Sequence, residues 1–265
     1  MASLKSPPPP VPDTDITFPR PHILQITLNR PRHLNSIPSP QHYALSKLYE
    51  WYDAEPSLRC AVLTGTGRAF CAGADLKEWN VRNTSGKSPT PSSPGEKWPS
   101  SAGFGGLSNR GGKKPVIAAV NGLCLGGGME MIINADLVYA SNKAKFGLPE
   151  VTIGVVAIAG ALPRLIKTVG RQRATEMALI GRSDYTPEQM LSWGLVNQVV
   201  EPDRLLDTAL AAAEAIANKG DCVPGGIEER MGGDGARGCY GTGRSNHLSE
   251  DGGCRKYDGG SQELR

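Results

Sequence analysis

Two short turns rich in small residues hold the residue types best suited to chemistry in this 265-residue chain. One is FCAGAD at residues 70–75, and the other is GGGME at residues 126–130. Each follows an apolar segment typical of a strand, CAVLT at residues 60–64 and VIAAV at residues 116–120. Such turns leave backbone N–H groups bare, and two of these groups aimed at one carbonyl oxygen form an oxyanion hole.

The amides of Ala74 and Gly127 are the candidate donors. Gly127 is the middle one of three glycines that open a predicted helix, where N–H groups lack an intrahelical partner and carry the positive end of the dipole. Donors of this kind stabilise an oxygen that gains negative charge, such as a thioester carbonyl becoming an enolate. Either turn alone is better explained as an ordinary glycine turn, but the two together favour an oxyanion hole.

Two glutamates lie close to these turns in the sequence. Glu130 lies in the apolar segment GMEMII, which predicts a buried carboxylate, and such a group is costly unless it is paired or used. Glu150 follows a proline in FGLPEV and is also explained as a first-turn glutamate favoured by a helix dipole. Two carboxylates beside an oxyanion hole can divide the general acid and general base roles between them.

The composition is ordinary for a globular protein, with 39% hydrophobic and 21% charged residues, and the length fits one domain with appendages. A net charge of +3 is too small to indicate nucleic acid or a membrane surface as a partner. No segment reaches the roughly 20 apolar residues of a membrane span, and the N-terminus has no apolar signal core. We therefore expect a soluble intracellular protein. The terminal QELR is not a peroxisomal address, and cytoplasm, peroxisome and mitochondrion stay open.

The six cysteines form no C-x-x-C pair, so we expect no zinc or redox site and interpret them as reduced small residues of an intracellular protein. They are Cys60, Cys71, Cys124, Cys222, Cys239 and Cys254.

Hydrophobic periodicity predicts strands that alternate with helices. The predicted strands cover residues 22–28, 60–64, 116–120 and 136–140, and the predicted helices cover 40–53, 128–134, 163–169, 172–180 and 202–218. A further helix begins at Thr186, where Gln189 completes a capping box, and ends at Gly194. This order indicates an α/β fold with a largely parallel sheet. No G-x-G-x-x-G follows the first strand, which argues against a dinucleotide fold.

Three segments lie outside this pattern. Residues 1–19 are predicted to form a proline-rich flexible arm, and residues 80–114 a mobile loop at the mouth of the site. Residues 219–265 form a glycine-rich tail without Phe or Trp, which is predicted to be disordered because it has little apolar surface to bury. Its abrupt onset suggests an altered reading frame that replaces a folded segment, a hypothesis that sequencing the transcript would test.

Five motifs in order resemble a known family over about residues 20–218. They are NRP at 29–31, AFCAGADL at 69–76, KPVIAAVNG at 114–122, GGGME at 126–130 and FGLPE at 146–150. Together they resemble the enoyl-CoA hydratase/isomerase, or crotonase, superfamily. That resemblance implies a spiral of ββα units followed by C-terminal helices, usually assembled as trimers or hexamers.

The resemblance also implies roles for individual residues. Ala74 and Gly127 would supply the oxyanion-hole amides, while Glu130 and Glu150 would add water across the double bond of a 2-enoyl-CoA. No metal or redox cofactor is implied, since coenzyme A is part of the substrate. The residues implied to contact the acyl-CoA are Arg32, Leu34, Ala72, Asp75, Leu76, Lys77, Gly126 and Ile158. Arg32 and Lys77 are equally explained as plain surface cations.

Two departures from the family pattern leave alternatives open. GVVAIAGA at residues 154–161 replaces a common Pro-Gly-x-Gly-Gly run, so Ile158 stands where a glycine backbone usually approaches the acyl chain. Nothing after residue 218 resembles the family's last helices. An enoyl-CoA hydratase is the expected activity, with a double-bond isomerase or an inactive product as alternatives. Fatty-acid oxidation is the family's usual pathway, and the segment around Ile158 keeps secondary metabolism open.

Overall fold

The computed structural model describes residues 4–78, 102–157 and 159–219. The strands are β1 (Thr14–Thr17), β2 (Ile23–Leu28), β3 (Cys60–Gly65), β4 (Ala69–Cys71), β5 (Val116–Val120), β6 (Leu123–Leu125), β7 (Leu137–Ser141), β8 (Lys145–Gly147) and β9 (Gln198–Val200). The α-helices are α1 (Ser39–Ala54), α2 (Gly127–Ile133), α3 (Ala161–Val169), α4 (Arg171–Ile180), α5 (Pro187–Ser192) and α6 (Leu205–Ala217).

A six-stranded sheet forms the centre of the molecule, in the order β1-β2-β3-β5-β7-β9. All neighbouring pairs are parallel except β1 and β2, which are antiparallel. Every residue of β5 is buried, and β3 is buried up to its last residue. These strands therefore show continuous apolar runs rather than alternation, because both faces of a parallel sheet are covered.

A second, smaller sheet lies beside the first and consists of β4, β6 and β8, all parallel. Each of its strands follows a long strand of the large sheet, so the chain passes from β3 to β4, from β5 to β6 and from β7 to β8. Its three strands have only three residues each. The predicted spiral of paired strands and helices is confirmed.

Helix α6 covers one face of the large sheet and the remaining helices lie with the main core on the other face. Ala209 and Ala213 of α6 are fully buried in one cluster with Val62 of β3 and Ile117 of β5. The alternate residues of β3, including Leu63, belong to the main core. Burying a Val or Leu side chain contributes roughly 1.5–3 kcal/mol, so this two-sided burial fixes the register of the central strands.

The helix starting at Thr186 confirms its predicted capping box. The Thr186 hydroxyl accepts a hydrogen bond from the Gln189 N–H, and the Gln189 side chain accepts one from the Thr186 N–H. Gly194 follows this helix with a φ of 82°, a conformation that favours glycine.

Two predictions for segments outside the regular pattern need correction. The arm predicted over residues 1–19 contributes strand β1, because Thr14–Thr17 pair with residues 25–28 at the edge of β2. Within the loop predicted over residues 80–114, Phe104 and Leu107 are buried at 5% and 1% exposure, where α1 and α2 meet. The glycines around these two residues suggested a surface loop. In the structure they instead allow close packing, because a Cβ on Gly106 would clash with the backbone of Ser46. The rest of that loop and the predicted tail from residue 220 lie outside the described residues.

No helix among the described residues is long and apolar enough to cross a membrane.

Candidate active site

The carboxyl ends of the three short strands converge on one site. The first turn follows β4, the second follows β6, and Glu150 lies three residues after β8. In this parallel sheet Cys71 pairs with Cys124, and Leu125 pairs with Gly147. Since parallel strands place their carboxyl ends at the same edge, three distant parts of the sequence meet there.

The first turn is held by hydrogen bonds to the segment that precedes α1. The Ala72 N–H donates to the Leu34 carbonyl, and the Asp75 N–H donates to the Ile37 carbonyl. The Ile37 N–H donates in turn to the Gly73 carbonyl at 2.9 Å. Within the described part of the chain, the N–H of Ala74 donates no hydrogen bond, so it is available to a ligand.

The second turn places the amide of Gly127 at the start of α2. The Gly126 N–H donates to the Gly147 carbonyl at 3.0 Å, and the Gly126 carbonyl accepts the first helical bond from Glu130. The two turns are in contact, because a Cβ added to Gly73 would lie 3.1 Å from the Gly127 nitrogen. Ala74 directly follows Gly73, and Ala74 and Gly127 line the same cavity, an arrangement compatible with an oxyanion hole.

Glu130 is buried at 4% exposure on the first turn of α2. Its Oε1 accepts a hydrogen bond from the Ala159 N–H at 3.0 Å. Burial, followed by the negative charge of Glu150, raises the pKa of Glu130 to about 7. A carboxyl group with this pKa can both donate and accept a proton near neutral pH.

Glu150 is the second residue of the short 3₁₀ helix Pro149–Ile153 and is half-buried. Its Oε2 is buried without a hydrogen-bond partner among the described residues, and burial raises its pKa. Since the charge of Glu150 raises the pKa of Glu130, Glu150 is the group that ionises first. With a pKa of about 7, Glu130 is present in both its protonated and its ionised form near neutral pH.

A cavity of about 320 Å³ contains both amides and both glutamates. Its walls are mostly apolar. Its lining residues are His42, Ala72, Gly73, Ala74, Leu76, Phe104, Gly126, Gly127, Glu130, Pro149, Glu150, Thr152, Ile153, Val155, Val156, Ala157 and Ala159. An apolar enclosure with few converging polar groups is typical of a site for a small molecule.

The residues that the sequence assigned to the acyl-CoA divide into two groups. Ala72, Leu76 and Gly126 line the cavity together with the four assigned catalytic residues. The other described residues of this set do not line it: Arg32 and Lys77 are exposed, Leu34 offers its carbonyl to Ala72, and the Asp75 carboxylate pairs with Arg30. Ile158 lies outside the described residues.

Several lining residues were not predicted from the sequence, and His42 and Phe104 are the most informative of them. His42 lies in helix α1, whose apolar residues were predicted to face the core. A histidine in such a helix could have been recognised from the sequence as a candidate site residue. Phe104 lies between glycines in a predicted loop and gave no periodic signal. Both reach the cavity only through packing of distant segments.

A second concavity, of about 520 Å³, shares no residue with this cavity. It is lined mainly by polar residues, among them Glu188, Glu201 and Arg204, and it contains neither of the bare amides. Among the described residues no group of three or more His, Cys, Asp or Glu side chains could hold a metal ion. The smaller cavity is therefore the better candidate for an active site.

Comparison with known proteins shows which family the chain resembles. The model of a family described as enoyl-CoA hydratase/isomerase matches residues 20–224. The mevalonyl-coenzyme A hydratase of Beauveria bassiana is 62% identical over 220 residues, covering 82% of this chain and 78% of that protein. The protein of the same name from Aspergillus fumigatus is 51% identical over 209 residues, covering 78% and 74%.

Solved structures are similar as well. The crystal structure of an enoyl-CoA hydratase from Mycobacterium tuberculosis has a TM-score of 0.69 and 36% identity, covering 79% of this chain and 77% of that chain. A carnitinyl-CoA hydratase from Mycobacterium avium has a TM-score of 0.68 and 35% identity, covering 78% and 76%.

Proposed function

The chain belongs to the enoyl-CoA hydratase/isomerase family and has a hydratase-type activity, and on that premise we propose that its substrate pair is mevalonyl-CoA and the corresponding 2-enoyl-CoA. The proposed reaction is the reversible addition of water to 5-hydroxy-3-methylpent-2-enoyl-CoA. The high identity to two proteins named mevalonyl-coenzyme A hydratase supports this choice of acyl group.

The thioester oxygen of the substrate accepts hydrogen bonds from the Ala74 and Gly127 amides in the proposed complex. These bonds strengthen as the oxygen takes on enolate charge, so they stabilise the transition state more than the bound substrate. Losing one such donor typically costs about 2.7–4 kcal/mol of transition-state stabilisation. Coenzyme A enters as part of the substrate.

The two glutamates supply the proton transfers. Adding water requires one carboxylate that takes a proton from water as oxygen attacks C3, and one carboxyl group that gives a proton to C2. A glutamate with a pKa of about 7 beside a second carboxyl group can meet both needs near neutral pH. The addition returns the pair to the same proton count, because the proton gained from water replaces the proton given to carbon.

The convergence of two bare amides and two buried carboxyl groups in one cavity is the observation that carries this proposal. It also favours hydration over double-bond isomerisation. An isomerase needs a single group to move a proton between two carbons, whereas both Glu130 and Glu150 face the same cavity.

A direct assay of the purified full chain tests the proposal. We expect loss of the enoyl-thioester absorbance with 5-hydroxy-3-methylpent-2-enoyl-CoA, formation of mevalonyl-CoA by mass spectrometry, and a lower kcat/KM with crotonyl-CoA. Hydration of crotonyl-CoA alone would refute the proposed acyl group but not the activity. No hydration of either substrate by folded protein would refute the mechanism, and a Glu130→Gln protein provides the blank.

The resemblance to the family also leads us to propose a homotrimer. Large apolar side chains on α3 and α4 support it, since Ile166, Leu179 and Ile180 are exposed at 44%, 69% and 58%. Light scattering coupled to gel filtration tests this proposal, and a monomer at micromolar concentration would contradict it.

A further inference from the structure

One polar side chain in the cavity has no role in the proton transfers or the oxyanion hole. Of the described lining residues, His42, Glu130, Glu150 and Thr152 have polar side chains. The two glutamates are the catalytic pair, and the Thr152 hydroxyl donates to the carbonyl of Pro149. His42 therefore calls for a separate explanation.

The local structure fixes the state of the His42 imidazole. Its Nδ1 lies 3.0 Å from the Gly105 nitrogen and accepts the hydrogen bond of that backbone N–H, so Nδ1 carries no proton. His42 is fully buried, and burial lowers its pKa to about 4. The ring is neutral at physiological pH, and its single proton lies on Nε2.

Packing places His42 beyond the oxyanion hole along the cavity wall. The ring of Phe104 packs against Gly127, where an added Cβ would lie 2.6 Å from a ring carbon. Phe104 also neighbours His42, with 5.8 Å between the ring centroids. Gly127, Phe104 and His42 therefore line one continuous part of the cavity wall, within which an acyl chain bound at Gly127 can reach His42.

We infer that His42 determines specificity by donating a hydrogen bond from Nε2–H to the hydroxyl group on C5 of the acyl chain. This inference rests on the proposed mevalonyl-CoA function. A hydroxyl group that enters an apolar cavity gives up its hydrogen bonds to water and needs a partner there. A neutral imidazole provides that partner without placing a second charge beside Glu130.

Hydrogen-bonding sites discriminate strongly. A site built to bind a substrate hydroxyl can reject the analogue lacking it by about 10⁴-fold, whereas an apolar pocket discriminates between similar chains by only about 10–200-fold. We expect the wild-type protein to prefer the 5-hydroxy substrate over 3-methylpent-2-enoyl-CoA by at least about 100-fold in kcat/KM.

Substitution of His42 tests the inference. His42→Leu is expected to reduce that preference to less than about tenfold, chiefly by lowering kcat/KM for the hydroxylated substrate. His42→Gln keeps a side-chain donor and is expected to retain an intermediate preference. His33→Leu replaces an exposed histidine that does not line the cavity and is the matched control, with an unchanged preference.

A measurement on the wild-type protein removes any dependence on how the variants fold. In an NMR spectrum of the protein labelled with ¹⁵N-histidine, saturating mevalonyl-CoA is expected to shift the Nε2–H resonance of one histidine. Butyryl-CoA, which has no hydroxyl group, is expected to leave that resonance unchanged. His42→Gln identifies the signal by its loss.

The outcomes separate the inference from the proposed function. Equal kcat/KM for the two substrates in the wild-type protein would overturn the inference and leave the hydratase function intact, as would a preference that survives in His42→Leu. Turnover of crotonyl-CoA with neither branched substrate would refute the proposed acyl group, and the inference with it.

Discussion

Arg30 Nη1 lies 2.8 Å from Asp75 Oδ2, and this ion pair joins the segment before α1 to the turn that presents the Ala74 amide. The Arg30 guanidinium also donates to the Ser36 carbonyl at 3.0 Å. Asp75 Oδ1 accepts from the Lys77 N–H, so both oxygens of its carboxylate are engaged. Although burial acts in the opposite direction, the hydrogen bond and charge of Arg30 hold the pKa of Asp75 below its usual value. The ion pair therefore helps to fix the turn that carries the Ala74 amide, the proposed first donor of the oxyanion hole.

Asp75→Asn is expected to lower kcat by about 10- to 100-fold, since a displacement of about 1 Å in a catalytic group can cost 100-fold. The dissociation constant of a saturated acyl-CoA should change much less. Asp184→Asn is the matched control, because the Arg182–Asp184 pair has a similar 2.8 Å contact but is exposed on both sides. A large loss of acyl-CoA binding with unchanged kcat would show instead that Asp75 contacts the coenzyme.

Removing either carboxyl group of the catalytic pair is expected to abolish most of the activity. Glu130→Gln and Glu150→Gln should each lower kcat by about 10²–10⁴-fold, the range that a general acid or base contributes. The KM should change little, because neither group is proposed to bind coenzyme A. Glu188→Gln, outside the cavity, provides a control with wild-type rates. If either cavity variant hydrates at the wild-type rate, that glutamate has no part in the mechanism.

The rate of hydration is expected to depend on pH in a bell shape. Above a pH of about 7 the pair loses its last proton as Glu130 ionises, and at acidic pH Glu150 takes up a second proton. Glu150→Gln removes the negative charge that raises the pKa of Glu130, so the alkaline limb of the residual rate should move to lower pH. A profile of kcat/KM from pH 4 to pH 9 measures both limbs. An alkaline limb that stays in place would mean that Glu150 does not act on Glu130.

The same raised pKa predicts that Glu130 destabilises the fold at alkaline pH. Between the unfolded pKa of 4.5 and the folded pKa of about 7, the folded protein holds a proton that the unfolded chain has lost. Stability is therefore lost as the pH rises through this window, by roughly 3 kcal/mol for a shift of this size. Glu130→Gln should raise the melting temperature relative to wild type more at pH 8 than at pH 4.5. An equal difference at both pH values would contradict this prediction.

Gly73 is expected to be irreplaceable in the site. Its φ of 91° disfavours any side chain, and a Cβ there would lie 3.1 Å from the Gly127 nitrogen, where the substrate oxygen must approach. Gly73→Ala should lower kcat by about 10²–10³-fold, as does loss of one oxyanion-hole donor. Gly170→Ala imposes similar backbone strain at a φ of 85° with no atom within 4 Å of the added Cβ, so it should lower stability and leave kcat unchanged. Equal effects of the two substitutions on kcat would refute the steric argument.

Local patterns in the sequence were enough to predict most of the regular structure. The strand at Cys60–Gly65, the helix at Ser39–Ala54 and the capping box at Thr186 depend on periodicity and on contacts between residues close in the chain. The bare amides and the burial of Glu130 were also predictable, because each follows from a few adjacent residues. Resemblance to known motifs then indicated the family.

Only the tertiary structure decided how these parts meet. Strands β4, β6 and β8 are three residues long, too short to show a period, yet their parallel pairing brings Ala74, Gly127 and Glu150 to one edge. The His42 and Gly105 partners lie 63 residues apart, and no local signal links them. Asp75 likewise pairs with Arg30 rather than lining the cavity, because an ion pair across 45 residues depends on how the chain folds back. Chemical type is a property of single residues, whereas the distance between two groups is set by the packing of the whole core.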